Sequence, residues 1–161
     1  TGPLVKEFEK KFASFKNVDQ SNVIALNSCT SALTLALKAL NFEPNSEIIT
    51  TPMTFCSTIN SIVNARLKPV FVDIDFKDLN WDVSQIEDKI SLRTRGVISS
   101  PVLANPYDYD QILDICDRNK IKLIADNFIN PRQKWARLIP LTPFVRYMRC
   151  NNLRDVIKIH P

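Results

Sequence analysis

The 161-residue chain has a single histidine, His160, next to its last residue, which removes most Ser-His and Cys-His schemes from consideration. Its four cysteines, Cys29, Cys56, Cys116 and Cys150, are scattered without a C-x-x-C pair. Neither a zinc site nor a disulfide framework is indicated, and buried thiols are expected. Only two glycines are present, and neither a G-x-G-x-x-G nor a P-loop signature can be read. No apolar run approaches the length needed to cross a bilayer. Residues 1–6 show no charged region leading into an apolar signal core, so a cytoplasmic protein is expected.

What is present is the composition of one globular unit. Apolar residues make up 45% and charged residues 24%, and the length suffices for one domain with a sizeable core. The net charge of +4 is unevenly placed. Residues 127–161 hold seven Lys/Arg (Arg132, Lys134, Arg137, Arg146, Arg149, Arg154, Lys158) against Asp155 alone. The fourteen basic and sixteen acidic residues of 1–126 leave that part slightly acidic. Trp135, Phe144 and Tyr147 lie among the tail's basic residues, but the pattern is too loose to carry a nucleic-acid reading.

The chain is organised around residues 26–32, where the apolar run Val23-Ile24-Ala25-Leu26 stops and the helical pattern of Leu33, Leu35, Ala36, Leu37 and Leu40 begins. A strand is expected over 22–26 and a helix to about Asn41. Small and hydroxyl residues at such a junction suit two roles: Ser28 or Thr30 as a helix N-cap, or the exposed first N–H groups of the helix as a phosphate site. Before it, Leu4, Val5, Phe8, Phe12 and Phe15 predict an amphipathic packing helix over 4–16.

After it, strands are expected at 47–51, 69–75, 95–99 and 120–126. Helices are expected after Phe55, over 81–90 and over 107–119. Asp73 and Asp75 at a strand end suit either a metal or acid-base pair, or turn residues bonding the loop backbone. Strands alternating with helices imply a mostly parallel sheet covered by helices on both faces, with ligands at the carboxyl ends of the strands. That rule gathers residues 27–31, Phe55 and Asp126 at one edge. Beyond Asn127 the periodicity dissolves among Pro131, Pro140 and Pro143. Residues 139–148 read as a strand or an irregular apolar segment, and 153–159 as a further short strand.

The segments VIALNSCTSALTLALKAL, EIITTPMTFCSTINSIV, KPVFVDID and the Asp126 strand together resemble the DegT/StrS-type aminotransferases, fold type I pyridoxal-phosphate enzymes acting on nucleotide-linked keto-sugars. The resemblance covers residues 1–127. It implies the N-terminal part of a fold type I large domain over 1–126, incomplete, followed by a divergent basic tail over 127–161. It further implies that Ser28, Cys29, Thr30 and Ser31 form the phosphate turn, with the N–H groups of Thr30 and Ser31 on the phosphate. Phe55 is implied to stack on the cofactor ring and Asp126 to face its pyridinium nitrogen. The implied substrates are a nucleotide sugar and glutamate, and the family is homodimeric.

Four positions depart from the family pattern. Cys29 stands where the family has glycine, and a Cβ there costs on the order of 1 kcal/mol or more if the turn needs positive φ or close approach to phosphate. Residues 101–106 lack the family's histidine and glycine, and Ile129 replaces a Gln or His. The Schiff-base lysine has two placements: Lys158, by its distance from Asp126, or a position past Pro161, by the echo of Phe-His-Pro in Ile159-His160-Pro161. On the second placement the lysine is expected to be missing from this chain, and on either placement the C-terminal half with its small domain is. The expected function is a truncated aminotransferase-like protein, alternatively a non-catalytic remnant or interaction module retaining the α/β fold. A phosphate or nucleotide binder using only the turn at Ser28 is the third reading.

Overall fold

A computed structural model describes residues 2–101, 109–127 and 147–150. Five strands form one sheet. β1 (Glu47–Thr50), β2 (Lys68–Phe71), β3 (Thr94–Ser99), β4 (Lys122–Asn127) and β5 (Tyr147–Cys150) lie in the order β2-β1-β3-β4-β5. The first four are mutually parallel, with Ile49 opposite both Val70 and Val97, and Ile98 opposite Ile124. β5 runs antiparallel to β4 and places Met148 opposite Asp126. Because β2 and β3 flank β1 on opposite sides, the strand order reverses there, and in open α/β sheets ligands bind at such a reversal, beyond the carboxyl ends of the strands.

The helices are α1 (Pro3–Lys16), α2 (Cys29–Leu40), α3 (Cys56–Asn64) and α4 (Tyr109–Arg118). Alternation along each central strand divides the core. Ile48, Ile98 and Ile124 face Leu33 and Leu37 of α2 and Ile62 of α3. Ile49, Val97 and Leu123 face Ile112, Ile115 and Cys116 of α4, together with Val72, Trp81 and Ile86. Each such side chain contributes roughly 1.5–3 kcal/mol by leaving water, so both faces of the expected sheet are sealed by helices and loops. Asn41 ends α2 in the left-handed conformation, φ 47°, a C-terminal role that asparagine fills with little strain.

Three expectations change in detail. Residues 23–26 follow a 3-10 turn (Gln20–Asn22), with Val23 extended, but join no strand among the described residues. A strand needs a neighbour to supply its hydrogen bonds, and here Ala25 N–H donates instead to Glu9 Oε1 at 2.9 Å. The helix expected over 81–90 is two 3-10 turns, Val83–Gln85 and Glu87–Lys89. Asp82 accepts from the backbone and hydroxyl of Ser84 and from Gln85, holding the chain in a tight turn. In α1 only Ala13 is buried, and Leu4 and Phe8 are exposed. The aromatic stripe there packs on itself, with Phe8 and Phe12 stacked at 5.9 Å between ring centroids.

The strand expected over 69–75 stops at Phe71, and the two aspartates beyond it bond the loop. Asp73 accepts from Ile74 N–H and Asp75 from Lys77 N–H, and no metal-holding cluster of His, Cys, Asp and Glu occurs among the described residues. Of the segment 139–148, Tyr147 and Met148 are described and lie in β5, while 139–146 and 153–159 lie outside the described residues. No helix among the described residues is long and apolar enough to cross a membrane.

Candidate functional site

The carboxyl edge of the sheet brings together the start of α2, the start of α3 and the end of β4. Ser28 is the N-cap of α2, extended at φ −157° and ψ 157°, and its Oγ accepts the Ser31 N–H at 3.1 Å. Ser31 Oγ in turn lies 2.8 Å from Ser28 Oγ and donates to Asn27 Oδ1 at 2.9 Å. The first intrahelical bond, Ala32 N–H to Ser28 carbonyl, leaves Thr30 N–H among those that precede the helical ladder. These point at the space before the helix, where its dipole favours an anion. The N-cap role and the anion-binding geometry thus coexist in one turn.

Cys29 is the first residue of α2 and is not among the residues with positive φ. The backbone strain expected of a side chain at this turn is therefore absent. Instead the thiol reaches across the edge, and Cys29 Sγ donates to Asp126 Oδ1 at 3.2 Å. Thr58, in the first turn of α3, donates its Oγ1 hydrogen to Asp126 Oδ2 at 3.1 Å. Thr58 Oγ1 itself accepts from Thr54 Oγ1 at 3.2 Å, and its N–H donates to the Phe55 carbonyl at 3.0 Å. Phe55 caps α3 with extended backbone and leaves its side chain 64% exposed. One connected set of bonds therefore joins the α2 turn, Asp126, Thr58 and the backbone of Phe55.

Asp126 is 3% exposed. Burying a carboxylate is expensive unless a cation or several donors compensate it. Among the described residues its donors are neutral, a thiol and a hydroxyl. The ion pairs among the described residues join Lys11 to Glu7, Lys68 to Glu47, and Arg118 to Glu87 and Asp114, and none reaches Asp126. A carboxylate offers about four lone-pair sites, so a third donor can be accommodated. The arrangement suits a cationic N–H approaching the sheet edge.

The sequence did not single out Thr58 or Thr54. Position three after Phe55, in the first turn of a helix whose start faces the sheet edge, was the available signal. The Cys29 thiol was likewise weighed only as a Cβ. Lys158, Ile129, His160 and residues 102–106 lie outside the described residues, so the two lysine placements remain as the sequence left them. Elsewhere, burial and neighbouring Asp117 push the Cys116 thiol up to about 12, consistent with an inert core cysteine.

Residues 1–127 match the DegT/DnrJ/EryC1/StrS aminotransferase family. The chain belongs to this family. The spore coat polysaccharide biosynthesis protein SpsC of Bacillus subtilis is 41% identical over 125 residues, covering 78% of this chain and 32% of that protein. A dTDP-4-amino-4,6-dideoxy-D-glucose transaminase of Shigella dysenteriae is 39% identical over 78% of this chain and 33% of its own length. Among solved structures, NtdA of Bacillus subtilis with bound cofactor PMP superposes with a TM-score of 0.75 and 27% identity, covering 84% of this chain and 32% of that one. The chain spans about a third of the length of the curated relatives it matches. The fold is that of the N-terminal part of a fold type I aminotransferase large domain, as the segment order implied.

Proposed function

We propose that residues 1–126 form the cofactor-holding part of a pyridoxal-phosphate-dependent nucleotide-sugar aminotransferase, with 127–161 a divergent basic tail. The observation that carries this is the buried Asp126 carboxylate, held by neutral donors beside an exposed aromatic and a helix start. The chemistry of the donors fits the group: Asp126 would accept from a pyridinium N–H, Phe55 would offer a ring face, and the N–H groups at the start of α2, with Ser28, Cys29, Thr30 and Ser31 around them, would receive the phosphate. When bound, pyridoxal phosphate supplies the electron sink on which amino transfer depends.

The residues of this chain contribute binding and orientation. Asp126 would place a negative charge against the ring nitrogen, the α2 dipole would offset phosphate charge, and the exposed Phe55 ring would stack on the cofactor ring. The parent reaction is amino transfer to a nucleotide-linked sugar in polysaccharide or amino-sugar synthesis, a reading supported by the family and the names its relatives carry, with glutamate as donor and a keto-sugar as acceptor on the family resemblance alone. Proton movement at the reacting carbon requires a lysine, either Lys158 or one beyond Pro161.

Titration of the purified chain with pyridoxamine 5′-phosphate, which needs no covalent attachment, tests the reading. Saturable binding that Asp126→Ala weakens at least about tenfold supports it. Borohydride treatment with pyridoxal phosphate, followed by peptide mapping, decides whether Lys158 is the attachment point. Absence of binding, together with no shift of the thermal midpoint by either form, sinks the proposal in favour of a non-catalytic remnant.

A further inference from the structure

We propose that Cys29 and Thr58 are positioning residues for Asp126, forming one unit that locks the α2 turn and the α3 start onto a single carboxylate. In its cofactor consequence this rests on the reading above. The argument is geometric. Asp126 enters from the end of β4, Cys29 opens α2 and Thr58 lies in the first turn of α3. Each carboxylate oxygen takes one donor, Oδ1 the thiol at 3.2 Å and Oδ2 the hydroxyl at 3.1 Å.

Two donors on two oxygens fix the carboxylate plane, which one donor cannot do, because a singly held carboxylate still rotates about its Cβ–Cγ bond. Both donors are neutral, so they orient the charge without cancelling it. Thr58 is itself held, its Oγ1 by Thr54 and its N–H by the Phe55 carbonyl. Cys29 is therefore more than a tolerated replacement for glycine. A glycine has no side-chain donor, so in this chain Oδ1 has a partner that glycine would withhold.

The contact makes Cys29 reactivity a reporter of Asp126. A thiol whose hydrogen points at a carboxylate gives up that bond, and meets the anion's field, when it becomes a thiolate. In the full chain, alkylation by iodoacetamide is followed residue by residue by peptide mass spectrometry. Asp126→Asn is expected to raise the Cys29 rate at least about threefold. Exposed Cys56 serves as the reference for reagent access, and buried Cys116 reports any unfolding. An unchanged Cys29 rate with Cys116 still protected overturns the unit.

The second measurement reads pyridoxamine 5′-phosphate affinity. Cys29→Ala and Thr58→Val are each expected to weaken it at least about threefold, with Cys29→Ser and Thr58→Ser restoring most of the loss. In Thr58→Val, which lies outside the α2 turn, affinity for inorganic phosphate is expected to stay the same. Wild-type affinity in Cys29→Ala and Thr58→Val overturns the positioning role. If no variant and no wild-type protein binds the cofactor while Asp126→Asn still accelerates Cys29, the unit stands and the cofactor reading falls.

Discussion

Ser31 N–H donates to Ser28 Oγ at 3.1 Å, so the backbone group that the family resemblance assigns to phosphate is engaged by the chain's own N-cap. Removing the cap with Ser28→Ala is expected to lower stability by about 1 kcal/mol. It also leaves Ser31 N–H open to an anion at the helix start. Thermal melts with and without inorganic phosphate check both effects. The variant melts lower in phosphate-free buffer, and phosphate recovers more stability in the variant than in the wild type.

At the opposite edge of the sheet, Ser91 Oγ donates to Glu47 Oε2. That hydrogen bond, more than the exposed Lys68 ammonium 3.4 Å away, holds the buried Glu47 carboxyl below its ordinary range. A carboxyl whose folded value is depressed adds stability that is fully present above its unfolded value and disappears as pH falls through the folded one. Ser91→Ala is therefore expected to destabilise by about 1–2 kcal/mol at neutral pH. The gap between variant and wild type should shrink as pH drops below the ordinary glutamate range. Urea midpoints at pH 7 and at pH 3 to 4 measure this, and a gap that does not depend on pH contradicts the assignment.

Gly96 lies where β3 passes β4 and the core at close quarters. A Cβ built there would meet the Lys122 carbonyl at 3.1 Å and Ile48 Cδ1 at 3.3 Å. The carbonyl belongs to the adjacent strand and cannot swing away as a side-chain tip would. Gly96→Ala is expected to cost about 1–3 kcal/mol through overpacking, despite alanine's better strand entropy. Denaturant unfolding measures the loss, and a variant as stable as the wild type would show that the two strands separate more readily than this contact implies.

The elements legible in the sequence are those whose formation depends on their own pattern. The apolar pairs Ile48-Ile49, Val97-Ile98 and Leu123-Ile124 marked central strands, and the spacing of Ile112, Ile115 and Cys116 marked α4. Residues 23–26 had the same apolar signature, yet a strand is a property of two segments, and no pattern inside the first names the second. Residues 81–90 carried helical spacing, but the Asp82 bonds to Ser84 and Gln85 favour tight turns. In the site, Asp126 and Phe55 could be placed at one edge because topology alone decides that. The Thr58 and Cys29 bonds could not, since their acceptor lies 68 and 97 residues away in sequence.

Phe55 separates a structural from a binding role most sharply. Two roles suit an aromatic at a helix start beside a sheet edge: a plug in the core, or a face for a planar ligand. A core phenylalanine replaced by alanine costs about 3–5 kcal/mol. With its side chain 64% exposed, Phe55 has little buried surface to lose, and Phe55→Ala is expected to change stability by no more than about 0.5 kcal/mol. Its cap geometry is a backbone property, extended at φ −67° and ψ 140°, and alanine adopts it equally well. The same variant is expected to weaken pyridoxamine 5′-phosphate binding by about fivefold to tenfold, as loss of a stacking face would, while Phe55→Tyr retains it. A large drop in stability with unchanged affinity would assign Phe55 to the core instead.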